Sequence, residues 1–356
     1  MPWRGLKGTK ANIWKRREAE RQDTYTLVTG SYDGTTKFWC LATGRERSSH
    51  RAFSPLTPAQ REDPEEDASD AVMYADLSKD GRYLVTAAYD GVATVWCMRK
   101  NVAMATLLGR EGGLYTAQFA PDGQHVLTAS AKGLACLWHW PKQEVRWLLN
   151  GHEESYMRCA SFSPDSTRIV TTSADCSVRI WQLSDKSTEA PTLVRILQGH
   201  WGWVNTAFFS LDGNLVLSAA ADKTAKIWCA HTGDCLKTFE GHYAYVRSAV
   251  FSLQQEYVLT ASSDWTAKLW KFGSGECIQT YRGHAQWVNM ANFAANEEKI
   301  VTCSRDCTAR LWMTQSGDCL RVFEGHKDFV MCSLVIGSAP RDRWQVRCSR
   351  RLTDAS

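Results

Sequence analysis

Short apolar runs separated by turn residues recur along most of this chain, from about Thr26 to Gly337. Residues 200–241 show one period in full. Val204 to Ser210 alternates toward an apolar face, and Leu211-Asp212-Gly213 turns the chain. Leu215 to Ala219 predicts a second strand, Asp222-Lys223 a tight turn, and Thr224 to Trp228 a third strand. Thr232-Gly233 turns again before a fourth strand at Cys235 to Phe239. Period-two alternation bounded by turn residues reads as strand rather than helix. One such unit cannot bury both faces of its own sheet, so it must pack against neighbours. Repetition about every forty-two residues therefore predicts blades stacked around a ring, a β-propeller.

A polar set keeps phase with these strands. Gly-His is followed by Asp, then by Trp six residues later, in His152/Asp175/Trp181, His200/Asp222/Trp228, His242/Asp264/Trp270 and His284/Asp306/Trp312. Upstream, Asp33/Trp39, Asp90/Trp96 and Lys132/Trp138 keep the same step. A hydroxyl sits four residues before each acid position: Thr29, Thr86, Thr128, Thr171, Ser218, Thr260 and Thr302. In this register His, hydroxyl, Asp and indole can form a chain of hydrogen bonds from the inter-blade loop to the third strand. A buried polar group without a partner costs roughly 1–3 kcal/mol, so the set predicts a satisfied network inside the stack.

The Gly-His…Asp…Trp pattern resembles the WD-repeat, or β-transducin-type, propeller family, over nearly the whole chain. One departure stands out. The residue after the Trp is never Asp but Cys40, Cys97, His139, Gln182, Cys229, Lys271 or Met313. The resemblance implies an all-β, seven-bladed β-propeller of four-stranded antiparallel blades that binds other macromolecules and does no chemistry.

Ring closure follows from counting. The first unit has strands two to four but no first strand, whereas the final Gly325-His326 is followed by one strand-like run, Val330 to Ile336. That run is predicted to complete blade one, with His326 joining Thr29, Asp33 and Trp39. A truncated eight-blade ring is the alternative. Blades two and three are the weak ones, since blade two lacks Gly-His, Gly109-Arg110 replaces it in blade three, and Lys132 replaces the acid.

Charge divides the chain into parts. Residues 1–25 carry seven Lys/Arg against three Asp/Glu, and residues 338–356 carry five against two, leaving a mildly acidic body at 26–337. Both tails are expected to be disordered. Residues 51–70 form an insertion with three prolines and six acids between Glu62 and Asp70, read as a solvated loop on the ligand-facing side. Basic tails on an acidic body are not the footprint of direct nucleic-acid binding. Lys15-Arg16-Arg17 reads as a soluble terminus, with nuclear import the alternative.

Thirteen cysteines are an odd count without Cys-x-x-Cys, and most are repeat-phased, among them Cys235, Cys277 and Cys319 at one strand position. They are expected to act as small hydrophobes in a reducing compartment, cytosol or nucleus. Cys303, Cys307 and Cys319 have no His at ligand spacing, so neither metal nor cofactor is expected. Membrane insertion is not expected either, because no apolar run is long enough.

Two constellations imitate enzymes. His, Ser/Thr and Asp resemble a catalytic triad, but a triad occurs once and is exposed, whereas this set recurs. Gly109-Arg110-Glu111-Gly112-Gly113 lacks the Lys-Ser/Thr of a phosphate loop. No small-molecule substrate is expected.

In propellers of the resembled family, the third and fifth residues after the histidine and the residue before the Asp point to the mouth of the narrower face. Here these are Trp203, Tyr245, Trp287 and Phe329, with Tyr156 in the longer loop; then Asn205, Arg247, Asn289 and Met331, with Arg158; then Tyr32, Tyr89 and Arg305. Aromatics interleaved with Arg and Asn have the composition of an interface hot spot. The predicted function is a non-catalytic scaffold or adaptor that binds proteins or peptides within a multiprotein complex. The alternatives are a ubiquitin-ligase substrate receptor, although Trp-Asp-x-Arg is absent, or a subunit that reads phosphopeptides or accompanies nucleic acid.

Overall fold

The computed structural model describes residues 25–51, 70–109, 112–152, 155–184, 189–294 and 297–337. The expectations for both tails, for residues 52–69 of the acidic insertion and for Arg110-Glu111 lie outside them. Seven four-stranded sheets make up the described structure, each a meander of antiparallel neighbours.

The inner strands are Val330–Ile336, Val72–Leu77, Leu114–Phe119, Met157–Phe162, Val204–Phe209, Val246–Phe251 and Val288–Phe293. Each packs against the inner strand of the next blade, and the last packs back on Val330–Ile336, so the ring closes around an axis. Closure uses both ends of the described chain. Val330–Ile336 pairs antiparallel with Thr26–Ser31, from Thr26 opposite Ile336 to Ser31 opposite Val330. There are seven blades, and none is truncated.

The second strands differ from the simple alternation expected. Thr26–Ser31, Tyr83–Ala88, His125–Ser130, Arg168–Ser173, Leu215–Ala220, Tyr257–Ser262 and Lys299–Ser304 are each buried at five of six positions. A strand with neighbouring blades on both faces has no solvent side, so its apolar run is continuous. The outer strands are the wet ones. Cys235, Cys277 and Cys319 begin three of them and are exposed, which corrects their assignment as buried filler.

One irregularity recurs without exception. In every blade the inner strand carries one extra residue near its start, a β-bulge. The extra residues are Met331, Met73, Tyr115, Arg158, Asn205, Arg247 and Asn289. A bulge bends its strand and re-aims the side chain it carries. Seven at one level make a ring of re-aimed side chains at one end of the axis.

Candidate functional site

The polar sets are assembled as full networks in five blades. Each tetrad indole N–H donates to the second-strand hydroxyl at 2.8 to 3.0 Å in all seven blades. In five blades that hydroxyl, on Thr29, Thr171, Ser218, Thr260 or Thr302, meets a histidine Nε2 at 2.7 to 2.9 Å. The histidines are His326, His152, His200, His242 and His284. Nδ1 of the same rings meets Asp33, Asp175, Asp222, Asp264 and Asp306 at 2.6 to 3.0 Å. These partners assign the proton to Nδ1, since the carboxylate accepts. Donors then meet acceptors along the whole chain: indole to hydroxyl, hydroxyl to Nε2, Nδ1 to carboxylate.

The glycine of Gly-His has a steric reason. Gly199, Gly241, Gly283 and Gly325 adopt φ between 136° and 149°, and a Cβ on them would lie 3.2 to 3.3 Å from the tetrad indole. The loop lies directly on the tryptophan edge, and a side chain there would lift the histidine away.

Trp181 corrects the expectation that all the sets are equivalent. Trp39, Trp228, Trp270 and Trp312 each meet their histidine ring edge-on, with centroids 5.8 to 6.1 Å apart. Trp181 keeps its hydrogen bond to Thr171 at 2.9 Å but forms no such ring contact with His152 among the described residues. It is also 6% exposed, against 1 to 2% for the other four. The cause is the loop, one residue longer here. Gly151 leaves the left-handed region its counterparts occupy, and its backbone crowds the indole, so that a Cβ would lie 2.6 Å from the ring. The Asp175 side chain is correspondingly 25% exposed and also meets Arg179, at 3.5 Å.

Burial alone would raise the five carboxyl pKa values. Hydrogen bonds from the imidazole, from a hydroxyl two residues on and from a backbone N–H outweigh it, and all five are held low, Asp175 and Asp222 at about 2. His284 is pushed below the usual imidazole range by burial, and the Arg310 charge adds to this against the pull of Asp306. Ser218, His200 and Asp222 have the contacts of a catalytic triad. The Ser218 hydroxyl, however, is 0% exposed and already accepts the Trp228 indole N–H. It has neither a free lone pair facing substrate nor a path to one. Among the described residues no group of His, Cys, Asp and Glu could hold a metal ion, and no helix is long and apolar enough to cross a membrane.

Above the tetrads lies the mouth. In every blade the carbonyl of the residue before the inner strand accepts from the N–H of the residue before the acid position. The pairs are Phe329–Tyr32, Ala71–Tyr89, Gly113–Ala131, Tyr156–Ala174, Trp203–Ala221, Tyr245–Ser263 and Trp287–Arg305. Two of the three positions read from the sequence are thus tied together by backbone. The arginines stack on the aromatics. Arg158 lies 5.0 Å from the Tyr115 ring centre and 5.5 Å from that of Trp203. Arg247 and Arg305 share Trp287, at 4.6 and 4.1 Å, and Arg305 also covers Phe329 at 4.8 Å. Phe329 in turn packs on Tyr32, and Tyr89 on Tyr115.

The asparagines of this set are spent differently. Asn205 donates its amide to the Val246 carbonyl and Asn289 to the Val330 carbonyl, both at 2.8 Å. Each staples its blade to the next inner strand, and Asn289 is only 7% exposed. Both asparagines thus take part in an inter-blade contact.

Sequence reading missed the most exposed aromatics. Trp201 and Tyr243, directly after tetrad histidines, are 92% and 81% exposed, and Trp265 follows Asp264 in a tight turn. The backbone N–H of Trp201 and Tyr243 donates to Asp222 and Asp264, so the rings are held outward by the tetrads themselves. With Tyr156, Trp203 and Tyr245 they are all the exposed aromatic side chains among the described residues, and every one lies on this face of blades four to six. The ends of the acidic insertion reach the same face: Asp70 backs onto Gly34 in the Asp33 turn, 4.0 Å from Arg51.

Seven meander blades locked by His–hydroxyl–Asp–Trp networks define a repeat propeller. The family model described as "WD domain, G-beta repeat" matches residues 66–97, 102–139, 143–182, 191–229, 233–271 and 275–313. That is more than half of the chain, and the chain belongs to the WD40 family. The unmatched seventh blade is the one assembled from both ends. The chain is 25% identical over 164 residues to nuclear distribution protein nudF of Aspergillus terreus, 45% of this chain and 30% of that protein. It is 27% identical over 139 residues to WD repeat-containing protein 37 of Mus musculus, 39% of this chain and 27% of that protein. These matches span less than a third of each relative. WD40 propellers support protein interaction and are in general non-catalytic.

Proposed function

We propose that this protein is an interaction scaffold that docks partner proteins or peptide segments on the face bearing the histidine loops, within a multiprotein complex. One observation carries the reading: the exposed aromatic side chains gather on that face of three consecutive blades. Buried tetrads already satisfy the polar demands of the stack, so folding does not account for aromatic rings left in water. Rigid aromatics beside Arg are the residues that dominate binding energy at protein interfaces. The cytosolic or nuclear placement expected from the reduced cysteines belongs to the same proposal. A ubiquitin-ligase receptor role gains no specific support.

Affinity capture with the wild type and with Trp203→Ala/Trp287→Ala tests the reading. The double variant keeps its folding stability within about 1 kcal/mol, because both rings lie at the rim, yet loses hot-spot energies of about 2 kcal/mol each and with them its partners. Capture of the same partners by a folded double variant contradicts it.

A further inference from the structure

The end of the axis opposite the mouth is divided by charge. In a meander blade the turn between first and second strands and the turn between third and fourth strands lie together at that end. Among the described residues, these turns in blades five to seven contain acids and no Lys or Arg. The acids are Asp212 and Asp234, then Glu256 and Glu276, then Glu297, Glu298 and Asp318. In blades one to three the same turns hold Arg45, Lys79, Arg82, Arg99, Lys100 and Lys142 against Asp80 and Asp122. Lys271 and Lys299, at strand ends beside the acidic turns, offset only part of the negative charge. Arg82 leans on Asp80 at 3.5 Å. Arg99, Lys100, Glu256 and Glu276 are exposed and form no ion pair among the described residues. Blades two and six, the centres of the two sectors, stand three places apart in a ring of seven, nearly across the axis from each other.

The turns are held in place. Arg195, Lys237, Gln279 and Arg321 each reach from an outer strand to a turn carbonyl of the next blade, at His231, Phe272, Gln315 and Thr43, over 2.7 to 3.2 Å. A surface fixed in this way loses little freedom on docking. Leu211 and Leu253, at equivalent turn positions of blades five and six, are 42% and 41% exposed and add apolar area to the same face. A partner of one charge answers one sector and is repelled by the other. A second copy of the chain answers both. When two copies meet at this end, related by a twofold axis along the boundary between the sectors, each cationic sector faces the acidic sector of the other copy. We propose that the turn face opposite the mouth is the interface of a twofold dimer, with Arg99 and Lys100 of each copy set against the acidic turns of the other. The two mouths then face outward, so one dimer can join two partners.

Sedimentation of the full chain at about 50 mM and about 500 mM salt tests the proposal. A mass of two chains is expected at low salt, with a dissociation constant roughly tenfold or more weaker at high salt. Arg99→Glu/Lys100→Glu and Glu256→Lys/Glu276→Lys are each expected to be monomeric at low salt, with thermal unfolding as in the wild type. Mixed in equal amounts, the two variants are expected to form a heterodimer, because the reversed sectors of one complement those of the other. A wild type that is monomeric at low salt overturns the proposal. So does a dimer that survives either reversal, or a pair of folded variants that stay monomeric when mixed. A wild-type monomer that binds polyglutamate or polylysine through one sector assigns that sector to another partner and likewise overturns the dimer.

Discussion

The second-strand hydroxyl is the residue on which each network turns, because it serves an indole and an imidazole at once. Thr302→Val keeps the shape but leaves Trp312 Nε1 and His284 Nε2 without partners inside the stack. The expected loss is about 1–3 kcal/mol by urea denaturation, with the folded spectrum retained. Protonation has a definite sign here. The five tetrad carboxylates have native pKa values below their unfolded ones, so their contribution is complete above about pH 4 and is lost as pH falls toward about 2. His284 also has a depressed native pKa, so the unfolded chain takes up a proton first and stability starts to fall gently below about pH 6.5. Urea midpoints from pH 8 to 2 should therefore decline slowly and then steeply below about pH 4, less steeply in Asp222→Asn. A midpoint independent of pH over that lower range contradicts the account. Tetrad residues were legible in the sequence because burial fixes their chemistry and spacing together. The looser seat of Trp181 had a single trace there: Asp175 follows its histidine by 23 residues, where Asp222 follows by 22. Trp201, Tyr243 and Trp265 left none, since no packing constraint puts an exposed ring in phase with the repeat.

At the scale of the element, the histidine loop is held by its glycine and the inner strand is bent by its bulge. Gly241→Ala sets a Cβ at φ 136° against Trp270 and should destabilise by about 1 kcal/mol or more in thermal or urea unfolding. A variant as stable as wild type would mean that the loop yields without strain. The strands and turns were legible from alternation and turn residues, and Cys235–Phe239 coincides with the expected fourth strand. Bulges left no recognisable mark, because an extra residue such as Asn205 between Val204 and Thr206 shifts the register with Leu215–Ala220 without a Gly or Pro to announce it. The same blindness hid the inter-blade contacts of Asn205 and Asn289. Each gives an amide N–H to a carbonyl that only the packing of one blade on the next brings near. The exposed cysteines illustrate the opposite limit, for phased spacing identifies an equivalent position but not its burial.

For the whole molecule the decisive contact joins residues nearly three hundred apart in sequence. Val330–Ile336 completes blade one, and His326 completes its tetrad by bonding Thr29 and Asp33. Removing residues 326–337 leaves Thr26–Ser31 with an unpaired edge and opens the ring between blades seven and two. Such a variant should lose the single cooperative unfolding transition seen by calorimetry, and unchanged melting would refute the closure. That closure was legible because one unit lacked its first strand while one strand was left over. Of the seven bulge residues, Met331, Arg158, Asn205, Arg247 and Asn289 were legible by counting from the histidine, whereas Met73 and Tyr115 were not, because blades two and three lack the Gly-His from which to count. Hydrogen exchange of the wild-type protein, free and bound to a captured partner, tests the central claim most directly. Protection is predicted at residues 201–205, 243–247, 285–289 and 327–331, with the outer strands unchanged. Protection confined to the outer strands or to the opposite end of the axis would show that the mouth is not where this protein meets its partner.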